Sequence, residues 1–174
     1  WFVPICGESP DIIGLVPPGE VVIQGDGNRP ALFLVADYFH RVSVRNITFR
    51  GVSEVLYREL PGRPLLMDFR NNRIEECGQG LDASYSSPNS VIAHNVITGN
   101  SGDGIDVTSS AALIESNEVC SNAGAGIAGS SANQCEMRSN HIHHNDGCGI
   151  AVGQFLNAHD NLVEHNGIHG LSWH

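Results

Sequence analysis

Lysine is absent from this 174-residue chain, and positive charge of any kind is scarce in its second half. All nine basic residues are arginines, and only Arg138 lies beyond residue 73, in a stretch that holds eleven acidic residues. The formal net charge of −10 therefore falls entirely on residues 74–174. Because a nucleic-acid backbone is bound by clustered positive charge, we do not expect nucleic acid as a partner.

Long apolar runs are also missing. The longest run covers residues 31–36, whereas a helix that spans a bilayer needs roughly 20 apolar residues. We therefore expect no membrane association. The hydrophobic content of 41% is sufficient for the core of one domain of this length.

The cysteines lack the spacing of a zinc site or of a disulfide framework. No two show the CxxC pattern, their number is odd, and the last four occupy different positions of the repeat described below. This pattern favours reduced, mostly buried thiols and, with them, a reducing compartment. The five are Cys6, Cys77, Cys120, Cys135 and Cys148.

What the chain does have is a repeat. The phrase Asn-x-Ile-x-x-Asn-x-Gly-x-Gly-Ile and its close variants occupy residues 95–105, 117–127 and 140–150. Its first asparagine recurs at intervals of 23, 22, 23 and 21 residues, at Asn72, Asn95, Asn117, Asn140 and Asn161. A fixed period of this length predicts small units that stack in a row and cover one another's apolar edges.

Apolar residues keep fixed places relative to these asparagines. One column lies two residues after each asparagine and another three residues before it, which indicates strands with those side chains inward. A third column of aliphatic residues lies ten positions after each first asparagine and follows two glycines. A further short strand is therefore predicted after a glycine-rich bend. The columns are Ile74, Ile97, Val119, Ile142 and Val163; Phe69, Ile92, Ile114, Met137 and Ala158; and Ile105, Ile127, Ile150 and Leu171.

Both asparagine columns are expected to be structural. If successive turns lie about 4.8 Å apart, each side-chain amide reaches the turns above and below and satisfies backbone groups that the bends leave unpaired. The second column is Asn100, Asn122, Asn145 and Asn166, with Cys77 in the corresponding place of the first repeat. The glycine nine residues after each first asparagine is expected to have positive φ. Gly126→Val is therefore expected to destabilise the fold by more than about 1 kcal/mol.

The repeat phrase resembles the right-handed parallel β-helix repeat of the pectate-lyase-like superfamily. The resemblance is clear over residues 66–174, and residues 17–27 and 42–51 resemble the opening turns of such proteins. It implies an all-β solenoid of about six or seven turns, with residues 1–65 as irregular N-terminal turns and a cap. A leucine-rich repeat is disfavoured because the paired glycines break helices and no leucine ladder exists.

The resemblance alone does not imply catalysis. Polygalacturonase-like hydrolases carry Asn-Thr-Asp, Asp-Asp, Gly-His-Gly and Arg-Ile-Lys phrases, and none is present. Pectate lyases use an arginine or lysine base with acidic calcium ligands, but the repeats offer only Arg138. Mannuronan epimerases carry Asp-Pro-His-Asp, of which only His159-Asp160 remains.

Three aspartates are the best catalytic candidates. Asp82 and Asp106 occupy the same position of adjacent repeats, and Asp103 lies just before Asp106. Glycoside hydrolysis uses two carboxyl groups about 5 to 9.5 Å apart, one as the acid and one as the base or nucleophile. The alternative is that all three are ordinary solvated acids on an acidic face.

A histidine cluster is a weaker candidate for a metal site. His144 and His165 share one column, and His143 lies beside Glu164 in the column before it. Imidazole and carboxylate groups bind divalent transition metals, although a flat stack of strands does not readily supply tetrahedral geometry. Solvated surface histidines are the alternative.

Two classes of function follow. The first is a non-catalytic module that binds a protein or glycan through its outer faces or an open end, and it is favoured by the missing catalytic phrases. The second is a polysaccharide hydrolase, lyase or epimerase, or a fragment of one, acting through Asp82, Asp103 and Asp106, with calcium as a possible cofactor for anionic substrates. The chain ends within a turn at residues 173–174, so end-to-end association through that turn is also expected.

Overall fold

The computed structural model describes residues 11–14, 21–34, 41–58, 64–131, 134–153 and 157–173. The predicted cap at the start of the chain lies outside these ranges. The first described strands are β1 (Asp11–Ile13), β2 (Val22–Gln24), β3 (Leu32–Leu34), β4 (Arg41–Arg45), β5 (Thr48–Arg50), β6 (Leu56–Arg58), β7 (Leu66–Arg70) and β8 (Arg73–Glu75). They continue as β9 (Leu81–Asp82), β10 (Val91–Ala93), β11 (Val96–Thr98), β12 (Ile105–Asp106), β13 (Leu113–Glu115), β14 (Glu118–Cys120), β15 (Ile127–Gly129), β16 (Glu136–Arg138), β17 (His141–His143), β18 (Ile150–Val152), β19 (Asn157–His159), β20 (Leu162–Glu164) and β21 (Leu171–Trp173).

These strands form a coil with three strands in each regular turn. The first sheet has the order β1-β4-β7-β10-β13-β16-β19 and the second β2-β5-β8-β11-β14-β17-β20. The third has the order β9-β12-β15-β18-β21, and β3 pairs with β6 in the earlier turns. Neighbouring strands within the sheets are parallel, for example β10 with β13 and β11 with β14. The predicted all-β parallel β-helix is confirmed, with about six turns.

The register places equivalent repeat positions directly beside one another. Ile92 pairs with Ile114, Ile97 with Val119 and Ile105 with Ile127. Each of these aliphatic side chains is fully buried, which stabilises the fold by about 1.5 to 3 kcal/mol per side chain. The predicted apolar columns are therefore the core, except that in the last described turn Ala158 and Leu171 are exposed and Val163 is half-buried.

The asparagine ladder is confirmed by its hydrogen bonds. The Asn95 side chain donates to the carbonyl oxygen of Phe69 at 3.0 Å and to Oδ1 of Asn117 at 2.9 Å. The same bonds recur in the next turns, through Asn140 to Asn161. The second column is linked likewise from Asn100 through Asn122 and Asn145 to Asn166, and the Cys77 amide joins it by donating to Asn100.

The predicted positive φ at Gly126 is wrong, because the left-handed backbone lies elsewhere in the turn. It occurs at the residue before each asparagine, which in most turns is not glycine. Gly126 instead allows close approach, since a Cβ there would lie 2.7 Å from the carbonyl oxygen of Gly149 and would clash with Cγ2 of Ile142. The non-glycine left-handed residues at these corners are Asn71, Glu76, His94, Ser116, Ser121, Ser139, His144, Asp160 and His165.

Arginines on the outer faces of the early turns pair with acids of the same strand or of the neighbouring turn. Arg45 and Arg70 bind Asp68, and Arg50 and Arg73 bind Glu75. Burial opposes ionisation of Asp68, but hydrogen bonds from the two arginines outweigh it and lower its pKa. The stability that this pairing contributes is present at neutral pH and is lost as the pH falls through that lowered pKa.

Within the described ranges there is no helix long and apolar enough to cross a membrane. Cys77, Cys120, Cys135 and Cys148 are free; the first three are buried and Cys148 is half-buried, whereas Cys6 lies outside those ranges. The last described turn exposes Leu162, Ile168 and Leu171. End-to-end association through this turn stays a prediction.

Candidate functional site

A groove of about 360 Å³ runs along the outside of the third side of the coil, across three successive turns. It is lined by Glu54, Gln79, Gly80, Leu81, Asp82, Asp103 and Asp106. The three aspartates that the sequence singled out are thus brought together, and Asp82 and Asp106 are direct strand partners in β9 and β12. The size of the groove is in the range of small-ligand sites.

Asp82 is held by an arginine and a turn. Nη2 of Arg58 lies 3.3 Å from its Oδ2, and its Oδ1 accepts a hydrogen bond at 2.9 Å from the amide of Ser84. Arg58 is buried, and its Nε and Nη1 atoms have no hydrogen-bond partner in the part of the chain described. Asp82 therefore has its charge partly balanced and its orientation fixed.

Asp103 and Asp106 are each fixed through one oxygen. Oδ1 of Asp106 accepts from the amide of Thr108 at 2.8 Å, as Asp82 does from Ser84. Oδ1 of Asp103 accepts a hydrogen bond at 2.7 Å from the amide of Ala125 in the next turn. This carboxylate oxygen occupies the space that a Cβ at Gly124 would fill. The Oδ2 atoms of Asp103 and Asp106 make no hydrogen bond within the described ranges, so they remain available as acceptors.

Glu54 is the acidic member of the groove that the repeat pattern did not reveal. Burial, followed by the charge of Asp82, raises its pKa above the usual value. Its neighbour Ser53 accepts a backbone hydrogen bond from Gln79, which aligns Glu54 with Gln79 one turn on. The asparagine signal begins only at Asn72, and Glu54 lies 25 residues before Gln79, outside the period of 21 to 23 residues, so the repeat register did not extend to it.

The raised pKa of Glu54 leads to a stability prediction. At pH 7 the ionised carboxylate opposes folding, so Glu54→Gln should stabilise the protein, by less than about 1 kcal/mol because solvent screens this half-buried group. The gain should disappear as the pH falls below the raised pKa. Urea unfolding at pH 4 and pH 7 measures it, with exposed Glu76→Gln as the control. Equal effects of both variants at pH 7 would contradict the prediction.

The histidines of the predicted metal site divide into separate contacts. Glu164 lies 3.1 Å from Nε2 of His141, although its strand partner is His143. His144 and His165 stack with ring centroids 5.2 Å apart, and Nδ1 of His144 lies 2.8 Å from Nδ1 of His143. His143 turns instead towards the preceding turn, where Nε2 lies 3.5 Å from Oε1 of Glu118.

The His159-Asp160 pair is a surface ion pair. Nδ1 of His159 lies 2.9 Å from Oδ2 of Asp160, and this hydrogen bond, with a second contact to Glu136, raises the pKa of the imidazole. Both side chains are exposed, and neither lines the groove. The pair therefore does not join the candidate site.

The sequence of residues 35–174 matches the family model described as the right handed beta helix region. The chain belongs to this family. Searches of curated proteins and of solved structures gave no significant match. The family match supplies the right-handed sense of the coil, and it covers both the groove and the histidine-bearing face of this β-helix.

Proposed function

We propose that this β-helix is a non-catalytic module that binds a neutral glycan chain in the groove. The observation that carries the proposal is the groove lining, in which four carboxyl groups and the amide of Gln79 follow one another over three turns. Carboxylate oxygens accept hydrogen bonds from sugar hydroxyls. Because turns stack about 4.8 Å apart, the acceptors repeat along the coil axis, which suits a repeating ligand.

The charge of the groove supports a neutral ligand over an anionic one. Arg58 is the cation that contacts the groove acids in the described residues, and it is buried against Asp82 and Ser84. Like charges in a binding surface select against a partner of the same sign. A polyuronate would therefore need calcium to bridge its carboxylates to those of the protein.

The fixed oxygens of the aspartates support binding rather than reaction. Asp82 and Asp106 make the same bond to the amide two residues on, a common way of stabilising a turn. Such anchoring holds the outer oxygens in place as acceptors and lowers the entropic cost of binding. Since no aromatic ring lines the groove among its described residues, recognition would depend on hydrogen bonds.

Glycoside hydrolysis is the second candidate, favoured by the raised pKa of Glu54. A protonated Glu54 would give its proton to the glycosidic oxygen as the bond to the anomeric carbon breaks. The carboxylate oxygen of Asp103 would accept a proton from the water molecule that adds to that carbon. This division between a protonated and an ionised carboxyl group is the one that glycosidases use.

The test separates binding from turnover. Neutral glucans, mannans and xylans, and polygalacturonate with and without calcium, are screened by affinity electrophoresis and by release of reducing ends. We expect a neutral polysaccharide to bind without turnover, and the Asp103→Asn, Asp106→Asn double variant to lose at least tenfold in affinity. The control is Asp146→Asn with Asp160→Asn, which removes the same charge away from the groove.

Each other outcome is decisive. Turnover that is lost in Glu54→Gln would make the protein a hydrolase and overturn the non-catalytic proposal. Polygalacturonate binding that requires calcium would replace the neutral ligand with an anionic one. Absence of binding to every polysaccharide, or equal loss in the control variant, would reject the groove as a glycan site.

A further inference from the structure

The outer face of the second sheet carries a group of three potential metal ligands that is separate from the groove. Glu118 and Cys120 lie on β14 and His143 on the adjacent β17, and their ligand atoms all lie within 4.8 Å of one another. Cys120 and His143 are strand partners, and Glu118 lies diagonally across from His143. The central residues of the two strands, Val119 and Ile142, are buried in the core, which holds both strands in place.

The contact between His143 and Glu118 has the wrong length for a hydrogen bond. Nε2 of His143 lies 3.5 Å from Oε1 of Glu118, and this buried nitrogen has no hydrogen-bond partner in the described chain. Two ligands of one tetrahedral zinc ion, each about 2.1 Å from the metal, lie about 3.4 Å apart. The spacing therefore fits two ligands that share an ion.

The other nitrogen of His143 is already engaged. Its Nδ1 lies 2.8 Å from Nδ1 of His144, whose ring stacks on His165. Metal-binding histidines commonly have their second nitrogen fixed in this way by a neighbouring group. The contact leaves Nε2, on the side of Glu118 and Cys120, as the nitrogen free to bind a metal.

The thiol of Cys120 also has a suitable environment. It is free and nearly buried, and Sγ donates to Oγ1 of Thr98 at 3.3 Å. On metal binding the thiol proton leaves to solvent, and the hydroxyl of Thr98 can reverse its direction and donate to the thiolate. Glu118, whose side chain is half exposed, can adjust its position without disturbing the core.

We propose that Glu118, Cys120 and His143 bind one divalent transition-metal ion of the zinc class. A thiolate and a carboxylate neutralise its two charges, and the imidazole supplies the third ligand. Sulfur and nitrogen ligands select zinc or cobalt over calcium and magnesium. The fourth position faces outward and would hold water, as in zinc sites with three protein ligands.

The test uses zinc and cobalt ions with tag-free, reduced protein. We expect one Zn²⁺ to bind with micromolar or tighter affinity in competition with a chromophoric chelator. Co²⁺ should give a near-ultraviolet thiolate charge-transfer band. Cys120→Ser should abolish the band and weaken zinc binding at least tenfold, whereas Cys148→Ser, a change at the half-buried cysteine outside the cluster, should leave both unchanged.

Three outcomes would overturn the proposal. They are zinc affinity weaker than millimolar, a cobalt complex of the unmodified protein without a thiolate band, and a band that persists in Cys120→Ser. His143→Ala keeps the test valid if the serine variant is unstable, because it should also remove the ion while leaving the thiol. Melting temperatures of all variants without metal show that each is folded.

Discussion

Gly126→Val should destabilise the protein by about 3 kcal/mol or more. The side chain would have to occupy space already filled by the next turn, where Cγ2 of Ile142, the carbonyl oxygen of Gly149 and Nδ2 of Asn145 surround the position. Backbone on one side and a core side chain on the other leave little room to relax, so this overpacking falls at the severe end. Urea unfolding followed by circular dichroism measures the change.

Gly99→Ser is the matched control. Gly99 has a φ of +66°, and a Cβ there would meet only the Glu76 amide nitrogen, at 3.9 Å. The equivalent corner of the next turn already holds Ser121 with a φ of 56°. This variant should therefore cost about 1 kcal/mol or less. If the two glycine variants were equally destabilised, close approach between turns would not be the reason for the glycine at position 126.

The same reason applies to two other glycines of that column. At Gly104 and Gly149 a Cβ would also meet the inward aliphatic residue, the glycine carbonyl and the ladder asparagine of the next turn. The sequence shows the recurrence of these glycines but not its cause, because close approach and positive φ both select glycine. The left-handed corners themselves are held by short polar residues and histidines, for which the repeat phrase gave no signal.

The fold was predictable because identical positions become direct neighbours in a coil. One period therefore predicted both the inward columns and the asparagine ladder, as the pairing of Ile97 with Val119 and the bond from Asn95 to Asn117 show. Asp82 and Asp106 are also strand partners, as predicted, although they are 24 residues apart, one more than Asn72 and Asn95. The position of Glu54 in the groove could not be predicted from the period, because Glu54 belongs to an earlier turn without the asparagine phrase.

Side-chain partners were less predictable than strand partners. The period correctly places His143 beside Glu164 in the strand register. The side chains nevertheless pair diagonally, His141 with Glu164 and His143 with Glu118. Diagonal neighbours on a sheet are within reach of long side chains, and rotamers decide between them. A column pattern therefore locates an outer face without fixing which groups on it meet.

Asn117→Ala should cost about 3 to 5 kcal/mol, because the change removes four buried hydrogen bonds in the middle of the ladder. Nδ2 of Asn117 donates to the carbonyl oxygen of Ile92 and to Asn140, and Oδ1 accepts from the amide and the side chain of Asn95. Each bond contributes about 1 kcal/mol, and buried groups left without a partner cost more. Urea unfolding of the variant gives the free-energy change.

Two comparisons separate hydrogen bonding from lost volume. Asn117→Asp keeps the shape but loses the donor, so at neutral pH an oxygen would face the carbonyl of Ile92, and the cost should equal or exceed that of alanine. Asn161→Ala removes the same kind of side chain in the last described turn, where Asn161 is half-buried and water can replace its partners. That cost should be about half as large. Only a cooperative chain of donors and acceptors makes the middle position more costly than the end. A stable Asn117→Asp variant, or equal losses of stability at Asn117 and Asn161, would therefore mean that the amide ladder does not hold the turns together.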